Sequence, residues 1–149
     1  MSSKPLTVRR LDLIAAFLLG LFSLFSLPQA SGMDLVANVN TTAESVTRNE
    51  ARLLFLMRRA QWPDGQPVQV FVLPDENSSH QAFCKQKLFI FPRKLRLAWE
   101  RQLYSGTGQV PIRVNSLEEM LQRVGSTPGA VGYLPENMTN DRVKILPIR

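Results

Sequence analysis

The sequence is poor in the residues that staple or catalyse. Cys84 is the only cysteine and His80 the only histidine among 149 residues. A single cysteine excludes an intramolecular disulfide, so stability must come from an apolar core. His80 and Cys84 stand at i, i+4 on one helix face, a spacing that can chelate, but two donors are too few for a zinc site. The sequence supplies no hydrolase triad and no Gly-rich nucleotide loop, so a non-enzymatic protein without metal or cofactor is expected. A Cys84–His80 nucleophile pair is the weaker reading beside a thiol packed in the core. There is no internal repeat and no low-complexity tract.

Long apolar runs are also scarce. The one candidate is Leu13 to Leu27, preceded by Lys4, Arg9 and Arg10 and followed by Pro28-Gln29-Ala30-Ser31-Gly32. About 15 apolar residues behind a basic start and before small residues read as a secretory signal peptide, residues 1–30, cleaved near Ala30. The rival is an uncleaved membrane anchor, for which roughly 20 apolar residues are needed. The expected mature part, 31–149, is one domain. It retains 15 of the 18 Lys+Arg and 11 of the 12 Asp+Glu. That moderate excess suits a small anion, an acidic partner or a membrane surface. It lacks the concentrated basic stripe of a nucleic-acid binder.

What is present is an alternation of strands and capped helices. Leu35–Val39 reads as a first strand, followed by the polar loop Asn40-Thr41-Thr42-Ala43. Thr47 and Glu50 form a capping box for a helix through about Leu56, with Val46, Glu50, Leu53, Leu54 and Met57 on one face. Trp62-Pro63-Asp64-Gly65 is turn chemistry, and Val68–Val72 a β-branched strand. Pro74–Ser79 is a polar loop before a helix from about Ser79 to Phe89. Pro92 suits the first turn of a third helix with Leu95, Ala98, Trp99 and Leu103 inward. Ser116 and Glu119 form another capping box, and Leu117, Met120, Leu121 and Val124 a buried stripe. Gly125 stands where a terminating glycine belongs. Ala130–Leu134 is a short buried strand, with Gly129 and Gly132 allowing close approach. Val143–Leu146 is a final, edge strand. The pattern β-α-β-α-α-α-β-β predicts an α/β fold with a mixed sheet of about four strands.

Set in order, these segments resemble a known family. Phe55-Leu56, Trp62-Pro63-Asp64-Gly65, Gln81-Ala82-Phe83, Trp99, Gly106-Thr107-Gly108 with Pro111, and Thr127-Pro128-Gly129-Ala130-Val131-Gly132-Tyr133 resemble the PstS-like phosphate ABC transporter substrate-binding proteins. These belong to the type 2 periplasmic-binding-protein superfamily. The resemblance runs from about Asp34 to Leu146. It implies a single lobe, where full members hold an anion between two. It also implies a phosphate loop after the second strand, with an arginine, an acidic residue and a serine-glycine-threonine turn. Here that stretch is Leu73–His80. Asp75 and Ser78 or Ser79 match; Leu73 or Pro74 replaces the arginine, Ser79 or His80 the glycine, and the threonine has no counterpart.

The candidate ligand-binding residues are therefore Thr41, Thr42, Asp75, Ser78 and Ser79. Free amides at a helix start favour anions, although Ser78 or Ser79 could serve only as the cap. Thr41 and Thr42 follow the first strand and could join the same mouth, or be ordinary turn formers. Trp62, Trp99 and Tyr133 read as core anchors rather than a stacking platform. Arg58, Arg59, Arg93, Lys94 and Arg96 could dock an acidic partner or simply be solvated. Two functions follow as expectations. One is an exported periplasmic solute-binding component, taking phosphate or another small oxyanion and feeding a membrane transporter or sensor. The other is a ligand-free interaction or signalling module, docking on a membrane protein or self-associating. Nucleic acid is not an expected partner.

Overall fold

In the computed structural model, residues 32–106 and 108–149 are described, and they form one folded unit. The expected leader lies outside them, and no helix among the described residues is long and apolar enough to cross a membrane. The elements in chain order are β1 (Met33–Asn38), α1 (Arg48–Phe55), β2 (Gln69–Val72), α2 (Ser78–Phe83), α3 (Pro92–Ser105), β3 (Ile112–Arg113), α4 (Leu117–Ser126), β4 (Ala130–Pro135) and β5 (Val143–Ile145). A π-helical turn, Cys84–Leu88, continues α2 and ends at Phe89 in the left-handed region.

The sheet has five strands in the order β3-β2-β4-β1-β5. β2 runs parallel to β3 and β4, while β1 runs antiparallel to both β4 and β5. β1 alone is therefore reversed. The strand missed by pattern is β3, whose two residues lie beside Phe71 and Val72 of β2. Two residues carry no readable periodicity.

β4 is the centre of the molecule. Ala130, Val131, Tyr133 and Leu134 are all buried, as expected of a strand covered on both faces. Its alternation sorts the helices. On the Gly132 side, a Cβ would lie 2.5 Å from Met120 Sδ and 3.1 Å from Val124 Cγ2, so α4 packs directly on bare backbone. On the Tyr133 side, the phenol ring stacks on Phe83 at 4.4 Å and also meets Phe55 and His80, bringing α1 and α2 over that face. The expected anchors are in place. The Trp62 indole donates to Gly129 O at 3.0 Å and the Trp99 indole to Phe55 O at 2.7 Å.

The helix starts follow local chemistry closely. Thr47 and Glu50 exchange both bonds of a capping box. Ser116 accepts from the Glu119 amide, but the Glu119 carboxylate binds Asn115 instead, one residue upstream. The ends and faces differ more. α1 buries Ala51, Leu54 and Phe55 rather than Leu53 and Met57. Leu103 of α3 is exposed, leaving Leu95 and Trp99 as its buried face. α4 runs through Gly125 to Ser126, so Gly125 is helical and the left-handed glycine is Gly129, at φ +74°.

Candidate functional site

Four strands point the same way, so their carboxyl ends share one edge, where α/β folds gather ligands. β2 delivers the loop Leu73–Asn77 and the start of α2 there. β3 delivers Arg113, followed by the start of α4. Asp75, Ser78 and Ser79 therefore lie together, as expected.

Thr41 and Thr42 do not join them. β1 is antiparallel to β4, with Met33 opposite Pro135, so its end at Asn38 points to the opposite edge of the sheet. There the Thr42 hydroxyl donates to Asp64 at 2.9 Å, and the Thr41 carbonyl accepts from Lys144. The single mouth expected from these two loops is corrected by the reversal of one strand.

The start of α2 is capped by Asn77, not by either serine. Asn77 Oδ1 accepts from the Ser79 amide at 2.9 Å. That leaves the Ser78 and Ser79 hydroxyls without a protein partner among the described residues, Ser78 exposed and Ser79 half-buried. It also occupies one amide that an anion would otherwise use.

Asp75 sits between two cationic or polar neighbours. Its Oδ2 lies 3.4 Å from Arg96 Nε, and its Oδ1 lies 3.9 Å from His80 Nε2. Oδ1 is buried and has no hydrogen-bond partner. Burial of an unpaired acceptor is costly, so this oxygen favours any donor that reaches it.

Behind Asp75 runs a buried polar chain. The Leu73 amide donates to Tyr133 Oη at 2.7 Å, and Oη lies 2.6 Å from His80 Nδ1. The phenol has one proton and its oxygen already accepts from Leu73. Nδ1 is the acceptor in reach of the phenol proton, so donation to Nδ1 with the imidazole proton on Nε2 is the arrangement that satisfies both groups. Nε2 faces Cys84 Sγ at 3.5 Å and Asp75. Burial lowers the His80 pKa, against the pull of Asp75 and with a further push from Arg113. The imidazole is therefore neutral at pH 7, and its contact with Asp75 is no ion pair. Burial raises the Cys84 thiol to about 12 and the Tyr133 phenol well above its ordinary value. Neither a thiolate nucleophile nor an ionised phenol is available at neutral pH.

Arg96, Glu100 and Arg113 line one hollow of about 290 Å³ at this edge with Val72 and Trp99, and Arg96 Nε lies 3.8 Å from Glu100 Oε1. Neither arginine was singled out for this site by sequence reasoning. Arg113 stands on the missed strand, and Arg96 sits in a run of basic residues that reads as solvated helix surface. No group of three or more His, Cys, Asp or Glu among the described residues could hold a metal.

No family model and no curated protein matches this chain. Solved structures do match in fold. A protein described as a phosphate ABC transporter substrate-binding protein from Clostridium perfringens, solved with bound phosphate, aligns over 78% of this chain at TM-score 0.61 and 14% identity. PstS from Borrelia burgdorferi aligns over 79% at TM-score 0.61 and 12% identity. An ABC-type phosphate transport receptor from Vibrio cholerae aligns over 77% at TM-score 0.57 and 16% identity. The matches cover 44%, 47% and 45% of those chains respectively, so this chain spans less than half of each. The five-stranded mixed sheet with helices on both faces is thus a fold shared with part of each of these structures.

Proposed function

We propose that this chain is an exported, non-enzymatic solute-binding-like protein that takes a small oxyanion of the phosphate type at the carboxyl edge of its sheet. The observation that carries this reading is the contact of Asp75 with Arg96 at the sheet edge that also bears Ser78, Ser79 and Arg113, in a fold shared with a phosphate-bound neighbour. Arg113 supplies charge, Arg96 is shared with Asp75 and Glu100, and the serine hydroxyls supply donors. Asp75 would discriminate. A carboxylate at this edge can accept from a protonated oxyanion but repels a fully ionised one. Phosphate, which keeps a proton at neutral pH, is favoured over sulfate on that ground. The site would serve transport or sensing through a membrane protein, with the leader directing the chain to the periplasm.

One lobe offers one wall, and exposed charges are screened. The affinity is therefore expected to be about millimolar. At about 10 mM phosphate this would stabilise the fold by roughly 1.4 kcal/mol. Thermal unfolding and calorimetry in phosphate-free buffer test the reading. Phosphate should raise the Tm, sulfate should do so less, and Ser78→Ala/Ser79→Ala or Arg113→Ala should abolish the difference. No heat and no shift at millimolar phosphate would sink it.

A second reading is favoured by a specific observation. Asn77 already fills the Ser79 amide, while Phe91, Leu103 and Tyr104 are exposed. On that reading the lobe is a ligand-free interaction or signalling module. A mass that rises with concentration and ignores phosphate would support it.

A further inference from the structure

We infer that the groove between α1 and α3 is a docking site for an acidic, amphipathic peptide segment of another protein. The inference is independent of anion binding at the carboxyl edge. The groove has a volume of about 610 Å³. Its cationic lining is Arg52, Arg58, Lys94 and Arg101, and its apolar lining includes Phe89 and Leu97; no carboxylate lines it. None of the four cations makes an ion pair among the described residues. Arg52 is held by a bond from its Nε to Leu88 O at 2.7 Å, which fixes it at the groove. A surface of one sign with an apolar floor selects an occupant of the opposite sign with an apolar stripe.

Phe89 of that lining is itself exposed to a partner. It is 59% exposed, yet it holds a left-handed backbone at φ +53°. That conformation costs a side-chain-bearing residue roughly 1–2 kcal/mol. It is reached through the π-helical turn Cys84–Leu88, an irregularity that recurs at functional sites. The result is an exposed aromatic ring with Arg48 stacked over it at 4.0 Å. The left-handed residue ends the π-helical turn and leaves the ring exposed on the groove.

A peptide fits better than a bilayer. The cations surround a hollow that side chains projecting at i, i+3 and i+4 from a helix can enter, and the bilayer that exposed Phe89 would also meet is an outcome of the test. The test is a displayed library of helix-forming peptides, selected on the full chain and counter-selected on the Lys94→Glu/Arg101→Glu variant. Both residues are exposed, so the variant should keep the wild-type circular dichroism spectrum. Enriched peptides should carry Asp or Glu beside an apolar stripe. In fluorescence anisotropy they should lose at least ten-fold in affinity on the variant and several-fold on Phe89→Ser. Binding should weaken as salt rises. Failure to enrich any variant-sensitive peptide, or enrichment of peptides without acidic residues, overturns the inference. So does variant-sensitive sedimentation with phosphatidylglycerol vesicles, which would make the occupant a bilayer. A concentration-dependent mass abolished by the variant would make it a second copy, and equally overturns it.

Discussion

His80 shows how one side chain can link the core to the site. It is fully buried, and its ring joins Tyr133 on one side and faces Asp75 on the other. Burial lowers its pKa below the ordinary 6.5. Above that value neither the folded nor the unfolded chain holds the proton, and the stability is full. Below it the unfolded chain gains a proton that the folded chain refuses. Stability should therefore fall as pH drops through 6.5, by at most about 1.4 kcal/mol per pH unit, and level off below the folded pKa. Urea midpoints between pH 5 and 7.5 would show this slope, and His80→Asn should flatten it; an unchanged slope would assign it elsewhere. The neighbouring Cys84 gives a simpler expectation. With its thiol buried and raised to about 12, it should resist a thiol reagent in the native state at pH 8 and react fully in urea. Fast native labelling would contradict the packing described.

At the scale of the elements, the join between α4 and β4 is the most constrained. Gly129 sits at φ +74°, and a Cβ there would lie 2.1 Å from the Pro67 carbonyl oxygen. Gly65, at φ +87°, has nothing within 4 Å of such a Cβ. Gly65→Ala should cost about 1 kcal/mol for backbone conformation alone. Gly129→Ala must also move backbone, and should cost at least twice as much. Equal urea midpoints for the two variants would show that the Pro67 contact yields freely. The same contrast explains what sequence could reveal. Thr47 with Glu50, Pro92, and the apolar run Ala130–Leu134 act through neighbours within a few residues, so their elements were legible. β3 exists only because Ile112 and Arg113 meet β2, which lies about 40 residues away in sequence, and no local pattern records that. The site divided in the same way. Asp75, Ser78 and Ser79 follow one strand, so their position was legible. The exclusion of Thr41 and Thr42 depends on the direction of β1, set by pairing with β4 and β5. Arg113 depends on β3. Asn77 rather than a serine is the cap because α2 begins at Ser78, a boundary set by turn geometry that the polar run Pro74–Ser79 does not display.

At the scale of the whole molecule, the question is whether a chain spanning less than half of its structural neighbours can stand as a unit. The core answers through its continuity. One cluster of buried side chains joins β1, β2 and β4 to residues of every helix, with Tyr133 and Phe71 among its largest members. Both tryptophans belong to that cluster, but they are tied to different parts of it. Trp62 is bonded to the Gly129 carbonyl at the start of β4, and Trp99 to Phe55 at the end of α1. If the cluster is one cooperative core, both must lose their surroundings together. Residues 31–149, expressed alone, should then unfold in urea in a single transition. Fluorescence of Trp62 alone, in Trp99→Phe, and of Trp99 alone, in Trp62→Phe, should each coincide with circular dichroism measured on the same variant. Each substitution shifts its own midpoint by removing an indole bond, so the comparison is made within a variant and not between them. A Trp99 signal lost before the helical signal would mean that α3 is a separately melting element. The groove between α1 and α3 would then be a flexible surface, and the fixed lining argued for peptide docking would lose its basis.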